Sequence, residues 1–501
     1  MNTNYERYKT LLGKIADISY AGAVLSWDQE VMMPSKGAGF RARQLATLAG
    51  ISHQQSTDDE LGRLLQELDK DLSLSEKEKR NVKRSLKDYQ ERKKFTVDFI
   101  ETLNLATSEG FQAWQTAKQQ NNFKLFEPKL EKLLELKRRE CEILGYTDHP
   151  YDALIDQYEP GMTTKSIALL FTNVRKQLVP FVKQIAASRQ NDNSFMKKQY
   201  DTAKQWQFGL DVLRQMGYDF EAGRQDLSSH PFTTSFNPLD VRVTTRVNEH
   251  DFNEMLWSCI HEGGHGLYEQ GLLPENYGLP AGEAISLGIH ESQSRLWENN
   301  VGRCLPFWKA NFKKLQALFP ENLEGVSVND FFKAMNQVKP SLIRTNADEL
   351  TYHFHIMIRF EVEKALLEGS IKVNQVPEYW NSKYKEYLGI DVPDDTQGVL
   401  QDVHWSHGGF GYFPTYSLGS FYAAQLYAQA KKELQNLEAE IEKGNSKPLL
   451  SWLREKIHIH GKYHTSEELC VAVTGEKLNF DYFMDYAKQK YSSIYELKQV
   501  I

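Results

Sequence analysis

The 501-residue chain has only four cysteines, Cys141, Cys259, Cys304 and Cys470, all far apart in sequence. Neither a CxxC redox motif nor a dense disulfide framework is available, so free thiols in a reducing compartment are expected. Long apolar runs are missing as well. No stretch approaches the roughly 18 uncharged apolar residues of a membrane-spanning helix. The opening residues MNTNYERYKTLLGKIADISYAGAVL lack a basic segment followed by a continuous apolar core and cleavage site, and they read as an amphipathic helix of a cytoplasmic protein. Excess positive charge is absent too: 60 Lys and Arg stand against 67 Asp and Glu, a net charge of −7. This offers no general attraction to nucleic acid or to an anionic membrane. No Ser/Gly/Pro linker, low-complexity tract or internal repeat interrupts the chain, and its composition excludes disorder and collagen-like architecture. The activity must lie in local chemistry.

What is present is helical rhythm. Outside residues 225–250 and 391–418, apolar residues recur at three- and four-residue spacing. In residues 125–145, Leu130, Leu133, Leu134, Leu136 and Ile143 stripe a charged helix that ends at Gly145. A second clear helix is expected through residues 419–443, stopping at Gly444. The basic run Lys77 to Lys94 contains Val82, Leu86 and Tyr89 at helical spacing, so its charges read as the outer faces of a half-buried helix. The fold class expected is therefore mainly α, and one large helical domain over residues 1–501, compatible with two lobes, is preferred to the three domains that length alone suggests.

One segment departs from this rhythm. From Asp240 to Val247 the residues alternate, with Val241, Val243, Thr245 and Val247 on one side and Asp240, Arg242, Thr244 and Arg246 on the other, which predicts a β-strand. Soon after it comes the most informative helix. Asp251 is a good N-cap, with Glu254 placed to complete a capping box, and the helix should close near Gly271.

Histidine points to the same region. Of 14 histidines, nine lie between residues 230 and 407. His261-Glu262-Gly263-Gly264-His265 puts two imidazoles four residues apart on one helical face, where both reach one tetrahedral cation, with Glu262 bordering the open coordination position. Two surface histidines on a helix is the bland alternative. Against it stand Gly263 and Gly264, since each glycine costs about 1 kcal/mol relative to alanine in a helix interior and the pair implies close approach of another element. A catalytic zinc needs a third protein ligand. After the loop Leu272 to Pro280, a second helix carries Glu291 at its centre, able to return antiparallel, with Glu283 and Glu298 as competitors for the role.

These residues resemble the thermostable carboxypeptidase Taq family of metallocarboxypeptidases. The resemblance rests on six segments in family order: His230-Pro-Phe, Asp240-Val-Arg242-Val-Thr244, His261-Glu262-Gly-Gly-His265, His290-Glu291-Ser-Gln, Ile343-Arg344-Thr-Asn-Ala-Asp348 and Gly398-Val-Leu-Gln401-Asp402-Val-His404-Trp405. It implies a helical gluzincin, oligopeptidase-like fold with a deep groove and a small sheet beside the HExxH helix, centred on residues 230–418. It implies His261, His265 and Glu291 as ligands of one Zn²⁺ and Glu262 as the catalytic carboxylate. It also implies a homodimer that releases C-terminal residues singly from peptides, with broad specificity and proline disfavoured.

The chemistry fits independently of the family. Glu262 can take a proton from the attacking water and return it to the leaving amine. A tetrahedral oxyanion needs a second donor, for which His404, His407, Tyr412 and Tyr416 are candidates in the stretch HWSHGGFGYFPTY. A free α-carboxylate calls for a guanidinium, with Arg344 first and Arg242 second, although Arg344 can equally pair with a nearby acid such as Asp348. His230 and His290 are further substrate-binding or orienting candidates, and Asp240, Asp348 and Asp402 are candidates to hold imidazole N–H groups. His353 and His355, two residues apart, share no helical face and are expected to be core or groove-lining residues and not ligands. The ligand set suits Zn²⁺ and also admits Co²⁺ or Mn²⁺. The competing enzyme reading is an oligopeptidase that cuts internally or releases dipeptides.

Overall fold

The computed structural model describes residues 2–497. Two compact units are assembled from interleaved stretches of chain. The first takes residues up to 93, then 192–335 and 422–478; the second takes 94–191, 336–421 and the chain from 479 onward.

The first unit begins with four helices, α1 (Thr3–Val31), α2 (Ala38–Ser56), α3 (Asp59–Asp69) and α4 (Glu76–Lys94). The Asn2 side chain caps α1 by accepting from the N–H groups of Asn4 and Tyr5. Tyr5 and Tyr8 of α1 pack with Leu61, Leu65 and Leu68 of α3 and with Val82 of α4. Leu86 and Tyr89 join the edge of this core, so the basic run is a half-buried helix with its charges turned outward. Helix α2 is different, since Ser56 is its one buried residue.

A three-stranded sheet follows: β1 (Gly223–Leu227), β2 (Thr233–Asn237) and β3 (Asp240–Thr245). β3 is central, parallel to β1 and antiparallel to β2. Val241 and Val243 are buried as the alternation predicts, but so is Thr244 from the opposite face. Its hydroxyl accepts from the Phe232 N–H at 2.8 Å, which compensates the burial of a polar group. The strand ends at Thr245, two residues short of Val247.

The HExxH helix spans Phe252–Glu269, capped by Asp251, which accepts from the Asn253 N–H. No capping box forms here, because Glu254 pairs with Arg246 and takes a full charge in place of a backbone N–H. The two glycines answer the expectation of a close approach. A Cβ on Gly264 would sit 2.6 Å from Ser294 Cα and 2.9 Å from the Gln293 carbonyl, while one on Gly263 would overlap Leu213. Bare backbone at Gly264 thus brings the HExxH helix against the helix Leu287–Arg295, which carries Glu291. Gly264→Ala should destabilise the fold by about 1–3 kcal/mol, despite alanine's better helix propensity, because the obstructing atoms are backbone. Thermal unfolding checks this; a rise in melting temperature would contradict it.

The helix expected over 419–443 is two helices, Pro414–Glu433 and Leu437–Glu442. Between them the Leu437 N–H reaches the Leu434 carbonyl at 3.0 Å, an i to i−3 turn that breaks the α-helical ladder. The first helix also begins earlier than the sequence rhythm suggests, at Pro414.

In the second unit, the helix Glu127–Leu144 buries Leu130, Leu133, Leu134 and Leu136 and stops at Gly145, whose φ of 86° favours glycine. The helix Tyr352–Glu368 is buried on nearly every side. His353 and His355 lie in this core, bonded to the Ser417 and Tyr384 hydroxyls.

Candidate metal centre

The side chains of His261, His265 and Glu291 converge so that one ligand atom from each lies within 4.8 Å of the others. The Nε2 atoms of His261 and His265 are 3.6 and 3.5 Å from Glu291 Oε2. Ligands about 2.1 Å from a tetrahedral cation stand roughly 3.4 Å from one another, so this donor set fits zinc-like coordination. Glu291 is held in place by its helix, which starts at the N-cap Ser286, whose hydroxyl accepts from the Ile289 N–H, and continues into a π-helical turn, Leu296–Gly302. The other candidates for the third ligand serve elsewhere. Glu283 is exposed and paired with Lys462, and Glu298 accepts a hydrogen bond from the far side of His261.

The partners of the two imidazoles fix which nitrogen is free. His261 Nδ1 lies 2.9 Å from Glu298 Oε2, so its N–H must point there and Nε2 keeps its lone pair for a cation. His265 Nδ1 lies 2.6 Å from His290 Nδ1, and His290 Nε2 lies 2.9 Å from Glu269 Oε1. Glu269 can only accept, so His290 donates through Nε2, accepts through Nδ1 and thereby orients His265 with its Nε2 free. Burial, with His290 as a further cause, lowers the His265 pKa to about 3, which keeps it neutral as a ligand must be. At His261 burial also opposes protonation, but Glu291 and Glu298 outweigh it and hold the imidazole above its ordinary value.

The carboxylates are anchored by cations. Arg295 Nε donates to Glu291 Oε1 at 2.7 Å, and Arg295 Nη1 and Arg303 Nη2 reach the two oxygens of Glu298. Burial alone would favour the protonated acids, yet Arg295 and the imidazoles hold both Glu291 and Glu298 well below the usual carboxylate range. Glu298→Gln, which removes the charge opposite His261, should weaken metal binding by about 10- to 100-fold, the usual effect of losing such an outer partner. Competition against a chelator measures this, and unchanged affinity would contradict the orienting role.

Glu262 has a different environment. It is 8% exposed, and the Thr233 hydroxyl of β2 donates to its Oε2 at 2.6 Å. Burial raises its pKa, with His261 and the Thr233 bond working the other way. A carboxylate made more basic in this manner is suited to accept and return a proton.

The other predicted residues fall into two places. In the first unit, His230 is exposed, and Arg242 is locked by two 2.9 Å bonds to Asp240 with its guanidinium over Trp27 and Phe236. In the second unit, Arg344 is buried, its Nε 2.9 Å from Asp402 Oδ1, its Nη1 3.2 Å from the Tyr352 hydroxyl and its guanidinium over Tyr416. Its acid partner is therefore Asp402; Asp348 instead accepts the N–H groups of Lys339, Leu350 and Thr351. Asp402 also takes Arg359, so one carboxylate faces two guanidinium groups. His404 Nε2 meets the Tyr416 hydroxyl at 3.2 Å, and burial, reinforced by Arg344, lowers its pKa to about 3. Tyr412 packs on Tyr158 and Tyr416, while His407 is exposed and stacked on Phe111.

None of the three aspartates named from the sequence bonds an imidazole; Asp240, Asp348 and Asp402 are taken by Arg242, backbone N–H groups and two arginines. The carboxylates that do so are Glu298 and Glu269. Glu269 sits four residues beyond His265, and Arg295 four beyond Glu291, a spacing that could have flagged both. Thr233 carried no sequence signal.

The sequence profile of the family described as Carboxypeptidase Taq (M32) metallopeptidase matches residues 7–491. Carboxypeptidase 1 of Bacillus subtilis (strain 168) is 41% identical over 99% of this chain and 100% of that relative. Thermostable carboxypeptidase 1 of Thermus thermophilus is 39% identical over 98% of this chain and 99% of the relative. The crystal structure of an M32 carboxypeptidase from Deinococcus radiodurans R1 superposes with a TM-score of 0.97 at 37% identity, covering 99% of this chain and 100% of that one.

Proposed function

Because the chain belongs to the carboxypeptidase Taq (M32) metallopeptidase family and is a metallocarboxypeptidase, we propose that it removes C-terminal residues one at a time from peptides, with His261, His265 and Glu291 holding a zinc ion. The observation that carries this reading is the convergence of three donor atoms beside a buried, basic carboxylate, Glu262. A divalent cation held there supplies Lewis-acid chemistry, acidifying water to a pKa of about 7 and polarising the scissile carbonyl.

The protein's own groups do the rest. Glu262 Oε2 is fixed by the Thr233 hydroxyl, which leaves Oε1 to take the water proton and pass it to the leaving nitrogen. Glu298, and Glu269 acting through His290, hold the two imidazoles with their N–H groups turned away from the cation. In the second unit we assign Arg344 to the free α-carboxylate. Two guanidinium groups on Asp402 leave that buried cluster one positive charge in excess, and Arg344 Nη2 has no partner among the described residues. Arg242, whose single charge is matched by Asp240 through two bonds, is less suited to the task.

Free thiols at all four cysteines support a cytoplasmic location. The His/Glu donor set also admits Co²⁺ or Mn²⁺. Disfavour of proline, broad side-chain tolerance and a homodimer are part of the same family-based reading.

The deciding experiment digests one ten-residue peptide and its C-terminally amidated twin with the metal-loaded enzyme and follows products by mass spectrometry. The free acid should give a ladder losing one C-terminal residue per step, and the amide should be cut at least about tenfold more slowly, since it lacks the charge that a guanidinium recognises. Equal rates, or release of dipeptides or internal fragments, would favour the oligopeptidase reading and remove the role of Arg344.

A further inference from the structure

The first unit holds a cavity of about 830 Å³ among α1, α2, α3 and α4. That volume is in the range of small-molecule sites. Its position explains why α2 buries so little. Leu45 and Leu48 of α2 line this space together with Leu61 and Leu65 of α3.

Most of the wall is aliphatic or hydroxyl-bearing, but α4 contributes two opposite charges, Asp88 and Arg92. They lie four residues apart on one helical face, a spacing at which acid and base ordinarily pair. Lys87 and Glu91 on the same helix do so at 3.7 Å. Asp88 and Arg92, both exposed at the mouth of this space, attract each other only through space, and Asp88 also feels the Lys462 ammonium, with no hydrogen bond joining any of them among the described residues. The other acid in the wall, Glu283, is occupied by Lys462 at 2.5 Å. The cavity thus offers one carboxylate and one guanidinium, about 6 Å apart at their Cβ atoms, beside aliphatic surface.

A ligand that satisfies both charges must carry an ammonium and a carboxylate a few ångströms apart, together with an apolar body. Peptides meet this poorly, because each added residue separates the termini by about 3.3–3.6 Å. A free amino acid meets it fully. We propose that this cavity binds a free aliphatic α-amino acid, with Asp88 receiving the ammonium, Arg92 the carboxylate, and the side chain lying among Leu45, Leu48, Leu61 and Leu65. Amino acids of this class are among the products of stepwise C-terminal hydrolysis, so the biological source of the ligand rests on the function proposed above, while binding itself does not. The enzyme would then hold one of its own products at a site distinct from the metal ligands.

The test is calorimetric titration of the metal-loaded enzyme with leucine, leucinamide and 4-methylpentanoate, repeated for Asp88→Asn and Arg92→Gln. Leucine should bind the unmodified protein, and each variant should bind it at least tenfold more weakly. Leucinamide, without the carboxylate, and 4-methylpentanoate, without the ammonium, should each bind the unmodified protein at least tenfold more weakly than leucine. Basal peptide hydrolysis should be unchanged in both variants, since neither residue belongs to the catalytic machinery. Absence of leucine binding, or binding equal in both variants because it occurs only at the catalytic centre, would overturn the proposal. Should one variant fail to fold, the other variant and the ligand series still decide it. A peptide ladder without Asp88-dependent leucine binding would sink this inference and leave the carboxypeptidase reading intact; the reverse result would do the opposite.

Discussion

Glu262→Gln should retain its metal and lose turnover by about 10³-fold or more, at the upper end of what one general acid–base group contributes. Glutamine matches glutamate in shape, and its amide oxygen can still accept the Thr233 hydroxyl, so the local packing has no reason to change. What it cannot do is accept a proton at neutral pH. Both halves of the proposed proton transfer, from water and then to the leaving nitrogen, pass through this one side chain, so their loss falls on a single substitution. Metal content measured alongside the peptide-ladder rate separates the two functions of the site. Full occupancy with negligible rate is the expected pair of results; normal turnover would remove Glu262 from the mechanism.

Glu291→Ala should fail at the preceding step, with metal affinity down by at least about 100-fold and activity at limiting metal near background, since a ligand itself is removed, not merely its outer partner. The structure also expects a stability change. Glu291 and Arg295 are mutually paired and nearly enclosed, and deleting one member of a fully buried pair costs about 3–5 kcal/mol. Arg295 keeps Glu298 as a second partner, which should moderate the loss to about 1–3 kcal/mol. Chelator competition gives the affinity and thermal unfolding gives the stability. Unaltered metal binding would mean that another carboxylate completes the site, with Glu298 the next candidate.

The helical architecture and the convergence of His261, His265 and Glu291 were legible where a short period carried the information. Four-residue spacing marked His261 and His265, two-residue alternation marked β3, and the Gly263-Gly264 pair announced a close contact that proves to be Leu213 on one side and the Ser294 backbone on the other. Glu291 could be placed on a returning helix, but spacing alone did not separate it from Glu283 and Glu298. That distinction depends on how deeply the helix inserts, which the bare backbone at Gly264 controls. The partners of the imidazoles differ from the sequence expectation for a related reason. Aspartates near sequence signatures looked suitable, whereas strand and loop geometry gave Asp240 to Arg242 and Asp402 to two arginines. Thr233 lies on a neighbouring strand, and its meeting with Glu262 depends on sheet register, a non-local property.

The carboxylate and guanidinium groups around the ligands have a consequence for which ions the centre accepts. Glu262, Glu269, Glu291 and Glu298 bring four negative charges, and Arg295 and Arg303 bring two positive ones. The shortfall is two units, the valence of one dication. A monovalent ion would leave the enclosure negative and a trivalent ion would make it positive, so electroneutrality favours divalent ions before coordination geometry selects among them. His261 feels the same surplus of negative charge, since Glu291 and Glu298 hold its pKa above the ordinary value against the effect of burial.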